Sequence, residues 1–332
     1  MMATKKKTAT KKAAKKAPSK KKIQYFENKD LLSMKSVTKD DLMAVFKLAD
    51  AMKKNPSAYL DTLKGKTLGL LFQKPSNRTR ISFEVGMAQL GGQAMYLSDK
   101  EIQMGEREPI RDVARTLGGY FDGVVLRTYS HANLEEFATI CPNSVINGLS
   151  DLEHPCQAIS DLFTIYSKFG KLEGINLTYI GDSNNVLNSL LHACVLTGVN
   201  LCIVSPRGYE PTEEMMKDVK TYAKDSGSKV VLSNNPFSSL KNTHAIYTDV
   251  WTSMGQENER TQRYKDFQSF QVNETIVSKA LPDCLVMHCL PAHRGEEITD
   301  DVIEGAHSIV FEQANNRLHA QKAVLAYMLG KK

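Results

Sequence analysis

In "SVTKDDLMAVFKLADAMKKN" the apolar residues Leu42, Val45, Phe46 and Ala49 fall three and four apart behind Thr38, a residue suited to capping. That spacing predicts a helix. The short apolar run in "KTLGLLFQK" predicts a buried strand, and "PSNRTRISFEVGMAQLGG" a helix from about Asn77 that stops at Gly91 and Gly92. "FDGVVLRTY" and the short runs near Ser144 and Ile146 predict further strands. "EHPCQAISDLFTIYSKFGKL" opens with a proline in its first turn and reads as a long helix.

A second series begins at "INLTYIGD", continues through a helix across "NVLNSLLHACVLTG", and returns to a strand in "NLCIVSP". "KVVLSNN", "HAIYTDVW", "CLVMHCLP" and "HSIVFEQ" each predict another buried strand ending in polar residues. Strands alternating with helices predict an α/β fold of two domains, each a parallel sheet flanked by helices. A length of 332 residues agrees with two domains. In such sheets ligands sit beyond the carboxyl ends of the strands, where the polar clusters of this chain fall.

Composition adds little to that picture, but charge adds one feature. The first 22 residues hold ten lysines and no acid, so without them the net charge of +6 becomes −4. A segment with so little to bury is expected to be disordered. It suits weak, salt-sensitive contact with a polyanion, or plain solvation with no partner. No apolar run approaches the roughly 18 residues a membrane span needs, which excludes a membrane helix. The six cysteines, Cys141, Cys156, Cys194, Cys202, Cys284 and Cys289, lack CxxC spacing. Buried thiols in a reducing, cytoplasmic compartment are expected for all but Cys289.

Three clusters carry candidate chemistry. "FQKPSNRTR" runs a strand into a helix whose first turn holds Ser76, Asn77, Arg78 and Thr79, a ready anion site. An ordinary serine cap with solvent-facing arginines is the plain alternative, and Arg80 and Glu84 are spaced for a structural ion pair. With no Walker lysine and no GxGxxG, nucleotide phosphates are disfavoured. Next, Arg127 at a strand end, with His154 and Gln157 at a helix start, could polarise a carbonyl. Lastly, the amides of "GDSNNVLNS" with Asp249, Ser253 and Cys289 suit a small zwitterion, a helix cap being the plain alternative for Asp249. Zinc at His288, Cys289 and His293 is weak because no second pair completes a tetrahedral set. A cysteine–histidine hydrolase has no evident orienting acid.

"SNRTR", "HPCQ", "GDSNNV", "DVWTSMG", "HCLPAHRGEE" and "FEQANNR" occur here in the order found in the aspartate/ornithine carbamoyltransferase family. From about residue 30 to 330 the chain resembles that family, and within it the ornithine branch. The resemblance implies residues 30–165 as a carbamoyl phosphate-binding domain, 166–312 as an ornithine-binding domain, and 313–332 as a helix returning to the first. It implies no cofactor and no metal, and a homotrimer or multiple of trimers. Ser76, Asn77, Arg78, Thr79, Arg127 and Gln103 would hold the phosphate, with Gln103 able to come from a neighbouring subunit. His154, Gln157, Arg127 and Thr79 would hold the carbamoyl group, with Cys289, Leu290 and Arg317 beside it. Asn185, Asp249, Ser253 and Met254 would take L-ornithine. In this reading Arg127, His154, Asp249 and Cys289 are catalytic, Cys289 accepting or relaying the proton of the attacking amine.

One position departs from the family. Asn77 stands where threonine is common, and a modest change in carbamoyl phosphate affinity is expected. The aspartate enzyme has a similar "HPCQAISDLFTIY" helix, but "HCLP" and "DVWTSMG" favour ornithine; N-acetylornithine and putrescine remain rival acceptors. A nicotinamide dehydrogenase is disfavoured because "GDSNNV" lacks the glycine fingerprint. A polyanion-binding protein on a retired enzyme fold rests on the lysine tail alone.

Overall fold

Among the residues described by this computed structural model, 28–238, 240–253 and 255–330, nine strands form two all-parallel sheets. The expectations for the tail (residues 1–22) and for Met254 lie outside the described residues. The first sheet holds β1 (Thr67–Phe72), β2 (Gln93–Ser98), β3 (Gly123–Arg127) and β4 (Ser144–Leu149), in the order β2-β1-β3-β4. The second holds β5 (Asn176–Ile180), β6 (Asn200–Val204), β7 (Val230–Ser233), β8 (Ala245–Thr248) and β9 (Leu285–His288), in the order β7-β6-β5-β8-β9.

Around the first sheet lie α1 (Lys39–Lys54), α2 (Asn77–Gln89), α3 (Asp99–Ile102), α4 (Ile110–Tyr120), α5 (His131–Ile140) and α6 (Pro155–Phe169). The second carries α7 (Asn185–Thr197), α8 (Glu213–Ser226), α9 (Arg260–Phe267), α10 (Glu274–Val277) and α11 (Asp300–Glu304). The closing helix α12 (Val310–Leu329) packs back on α1, α2 and α6. No described helix is long and apolar enough to cross a membrane.

Local chemistry explains the element boundaries. Thr38 accepts from the Asp41 N–H at 3.1 Å while the Asp41 carboxylate accepts from the Thr38 N–H at 3.0 Å, a reciprocal cap on α1. Pro155 stands in the first turn of α6, and Gly170 ends that helix at φ 69°, where a side chain would be strained. Leu42, Val45, Phe46 and Ala49, the residues spaced for a helix face, are all buried. Phe46 and Phe163 join Tyr179, Leu190 and Leu325 in one core cluster that runs through both halves.

Several elements differ from the sequence reading. "HSIVFEQ" is not a strand: Ser308 makes a single bridge to Val286, and Val310 already starts α12. The apolar face of α12 repeats at helical spacing as far as Leu329, and that longer pattern overrides the short β-branched run. "KVVLSNN" is the edge strand β7, with Val231 and Leu232 exposed. β2 and α8 were not anticipated; β2 is a sheet edge whose side chains are exposed or half-buried, so no apolar run announces it.

In both sheets the chain steps to one side and then returns to the other. The order switches between β1 and β3 in the first sheet, and between β5 and β8 in the second. The carboxyl ends at those switches carry Ser76–Arg78, Arg127, Asp182 and Asp249. That is where a parallel sheet opens a crevice for ligand.

Candidate active site

Ser76 caps α2, its hydroxyl accepting from the Thr79 N–H at 3.3 Å, so Asn77, Arg78 and Thr79 form the first turn at the positive end of the helix. Arg80 pairs with Glu84 at 3.0 Å and lies over the Tyr96 ring, which removes it from the site as the spacing allowed. Arg127 at the end of β3 is buried. Burial, then Arg317 and Arg78, bring its pKa down to about 10. Burial also lowers Arg317 and Arg78. Two buried guanidiniums, each depressed by neighbouring cations, form with the half-buried Arg78 a site whose stable occupant is an anion.

α12 delivers Arg317 between two first-half side chains. It donates to the Gln157 carbonyl at 2.5 Å and to the Thr79 hydroxyl at 3.3 Å. His154 caps α6 and is buried; its N–H donates to the Ser189 hydroxyl at 2.9 Å, which ties it to α7. Burial, reinforced by Arg317, Arg127 and Arg78, holds the imidazole well below the usual histidine range. It is therefore neutral at pH 7, able to donate a hydrogen bond without adding charge.

On the other wall, the Cys289 thiol donates to the Asp249 carboxylate at 2.9 Å. The second Asp249 oxygen accepts from the Asn184 amide at 2.7 Å, and the first also accepts from the Val250 N–H at 2.8 Å. Burial and then the Asp249 carboxylate push the thiol well above its usual range, so it keeps its proton. A protonated thiol hydrogen-bonded to a carboxylate is arranged to pass a proton along, one of the two roles expected of Cys289.

Asn185, expected at the amino-acid end, donates to the Ser150 carbonyl at 2.6 Å. The amide that grips Asp249 belongs to its neighbour Asn184, which also caps α7 through the N–H groups of Val186 and Leu187. The Ser253 N–H donates to the Gln256 amide at 3.1 Å. Leu290 sits at φ 58°, its N–H donating to His288 Nδ1 at 2.8 Å. Gln103 is exposed at the end of α3, with φ 51°, and makes no hydrogen bond to this cluster among the described residues.

His288 is engaged at both nitrogens, since Nε2 faces the buried Glu297 at 3.0 Å. Glu297 also accepts from the His293 N–H at 2.6 Å, while Arg294 pairs with Asp300 and Glu304. The polar residues beyond Pro291 thus brace their own loop. Among the described residues, two groups have ligand atoms close enough together for a cation: Asp249, His288 and Cys289, and His293, Glu296 and Glu297. In the first, both His288 nitrogens and both Asp249 oxygens already have protein partners, a poor start for metal coordination.

Sequence reasoning missed three buried side chains at the centre. The Asp161 carboxylate accepts from Gln157 at 2.8 Å, from Gln313 at 2.7 Å and from the Tyr247 hydroxyl at 2.9 Å. Gln313 in turn accepts from the His288 N–H at 2.9 Å. Asp161 lies within "HPCQAISD", four residues after Gln157, and that spacing was the available signal. Gln313 and Tyr247 carry none, because neither stands near its partners in the chain.

The chain is similar to known proteins over most of its length. Residues 29–167 match the family "Aspartate/ornithine carbamoyltransferase, carbamoyl-P binding domain", and residues 173–328 match "Aspartate/ornithine carbamoyltransferase, Asp/Orn binding domain". The ornithine carbamoyltransferase of Listeria monocytogenes serotype 4b is 50% identical over 302 residues, 91% of this chain and 96% of that one. That of Archaeoglobus fulgidus is 50% identical over 305 residues, covering 91% and 98%. The solved ornithine carbamoyltransferase of Pyrococcus furiosus superposes with a TM-score of 0.88 at 47% identity, over 91% of this chain and 98% of that chain.

Proposed function

This chain belongs to the aspartate/ornithine carbamoyltransferase family, and from that premise we propose that it transfers the carbamoyl group of carbamoyl phosphate to the side-chain amine of L-ornithine. The products are L-citrulline and phosphate. The observation that carries this reading is the juxtaposition of three converging guanidiniums and a neutral histidine with the Asp249–Cys289 pair. A dianion and an amine would meet between them.

The phosphate is assigned to the first turn of α2, through Ser76, Asn77, Arg78 and Thr79, with Arg127. Arg317 and Gln157 hold the carbamoyl group, next to Cys289 and Leu290. His154 and Arg127 face its carbonyl oxygen, where negative charge develops as the amine adds. Gln103, exposed in the single chain, is assigned to a neighbouring subunit's site in a homotrimer or multiple of trimers. Residues 30–165 and 166–312 are the two substrate domains, and 313–332 return to the first; the packing of α12 on α1, α2 and α6 supports that division.

Ornithine is assigned to Asp249, Asn185 and Ser253, to Met254 by motif, and, from the geometry, to Asn184. Its side-chain amine has a pKa of about 10 in water and must shed a proton before attack. The amine gives that proton to Cys289 Sγ as the thiol gives its own to Asp249. The amine nitrogen then bonds to the carbamoyl carbon, the bond from that carbon to the phosphate oxygen breaks, and phosphate leaves on the cationic wall, taking the second proton of the adding amine. The reaction is placed in arginine biosynthesis in the cytoplasm, a setting that suits the buried thiols of Cys141, Cys156, Cys194 and Cys284.

The test is ureido-product formation from carbamoyl phosphate with ornithine, N-acetylornithine, putrescine and aspartate as acceptors. Turnover with ornithine is expected. Turnover with another acceptor alone would overturn the roles of Asp249, Ser253 and Cys289.

A further inference from the structure

An amide side chain has a donor end and an acceptor end, and the protein must fix which of them a ligand meets. At Gln157 the nitrogen donates to Asp161 at 2.8 Å and the oxygen accepts from Arg317 at 2.5 Å. Both contacts demand the same orientation. Gln157 is buried, so water cannot substitute for either partner. A carbonyl oxygen has two lone pairs, and Arg317 uses one. The end of Gln157 turned from Asp161 can therefore accept one further hydrogen bond and cannot donate one.

Asp161 is itself firmly placed. It is fully buried on α6, and its two oxygens take donors from three elements: Gln157 on α6, Gln313 on α12 and Tyr247 on β8. All three are neutral donors, an arrangement that suits an acceptor-only group. Were the Gln157 amide to turn over, its oxygen would face the Asp161 carboxylate and its N–H2 would face a guanidinium. Two repulsive contacts would replace two attractive ones.

Resting on the function proposed above, we infer that Asp161 is a specificity-determining positioning residue that makes Gln157 read the carbamoyl nitrogen. A carbamoyl group offers N–H2 where an acetyl group of the same shape offers CH3. Only the former can donate to the remaining lone pair on Gln157. Asp161 thus sets the discrimination of carbamoyl from acyl phosphates without touching the substrate. Sites that hydrogen-bond a substrate N–H reject analogues lacking it far better than apolar pockets reject by size.

The test uses two stable phosphonates, phosphonoacetamide and acetonylphosphonate, which differ only in NH2 against CH3. Binding of each to the full chain is measured by calorimetry, in the wild type, Asp161→Ala and Gln157→Met. The wild type is expected to prefer the amide by roughly tenfold or more, the scale of one buried hydrogen bond. Asp161→Ala should lose most of that preference by weakening the amide, with acetonylphosphonate changed by less than about threefold. Adding Asp161→Ala to Gln157→Met should leave the ratio where Gln157→Met puts it. Should the alanine chain not fold, Asp161→Asn serves: losing the charge weakens the pin, and the ratio falls about threefold. Equal weakening of both ligands, the mark of a purely structural role, overturns the inference, and so does an unchanged ratio. A wild type that binds both equally overturns it while leaving the proposed activity standing; a wild type that binds neither overturns both.

Discussion

Arg317 stands 160 residues after Gln157 in the chain, yet the two side chains share a hydrogen bond at the centre of the site. Arg317→Leu removes a buried charge from the candidate site together with the guanidinium that donates to Gln157 and Thr79. Steady-state assays should show kcat/KM for carbamoyl phosphate falling by about 10²–10³, the range for loss of one transition-state donor. Retention of activity within a few-fold would contradict its role. The histidines set a pH dependence whose sign is fixed. Burial, then Lys322 and Lys53, take His319 down to about 4 from its ordinary 6.5, and His154 shifts the same way. Between 6.5 and 4 the folded chain binds fewer protons there than the unfolded chain. The His319 stabilisation is complete above pH 6.5 and is lost as pH falls through that window, and His154 contributes with the same sign. Burial raises Asp161 to about 6, which acts in the opposite sense between 6 and its ordinary 3.8. Thermal unfolding should show a smaller loss between pH 7 and pH 5 in His319→Gln than in wild type; an equal loss would count against the assignment. At this scale the motif residues were legible because their types match their chemistry. Asn184 was not, since two adjacent asparagines read alike until the backbone aims one at Asp249.

α12 shows what an element can do that no single residue can. It closes the core against α1, α2 and α6, and the same face carries Gln313 and Arg317 into the site. The site is therefore incomplete until the last helix docks. Its first turn was misread as a strand because a short run of β-branched residues looks the same in either state. By contrast α1 was legible to its first residue, because a reciprocal cap is written in four consecutive positions. Thr38→Ala should cost about 1 kcal/mol of stability, seen as a lower denaturation midpoint, with kcat unchanged. A change in kcat without loss of stability would place Thr38 in the machinery instead. Edge strands were the least legible elements. β2 lacks a buried apolar run, and β7 has one whose apolar residues face outward.

For the molecule as a whole, the lysine-rich segment and the catalytic body should separate cleanly. Deleting residues 1–22 is expected to leave turnover intact and to abolish retention on immobilised nucleic acid at low salt; lost turnover would contradict this. Sedimentation should give a particle of about three chains of 37.0 kDa or a multiple of it, and a monomer with full activity would remove Gln103 from the site. The α/β alternation, two parallel sheets, the cap of α1 and the polar clusters at the strand ends were all determined by local order in the sequence. Propensity, periodicity and capping act over a few residues, so their record is local too. Only the tertiary structure decided which clusters meet. Packing α12 against α6 joins Arg317 to Gln157, and the strand ends of two separate sheets bring Asp249 and Cys289 near Arg78. Burial then keeps His154 neutral, holds the proton on Cys289 and fixes the Gln157 amide, because each depends on charges brought near from distant parts of the chain.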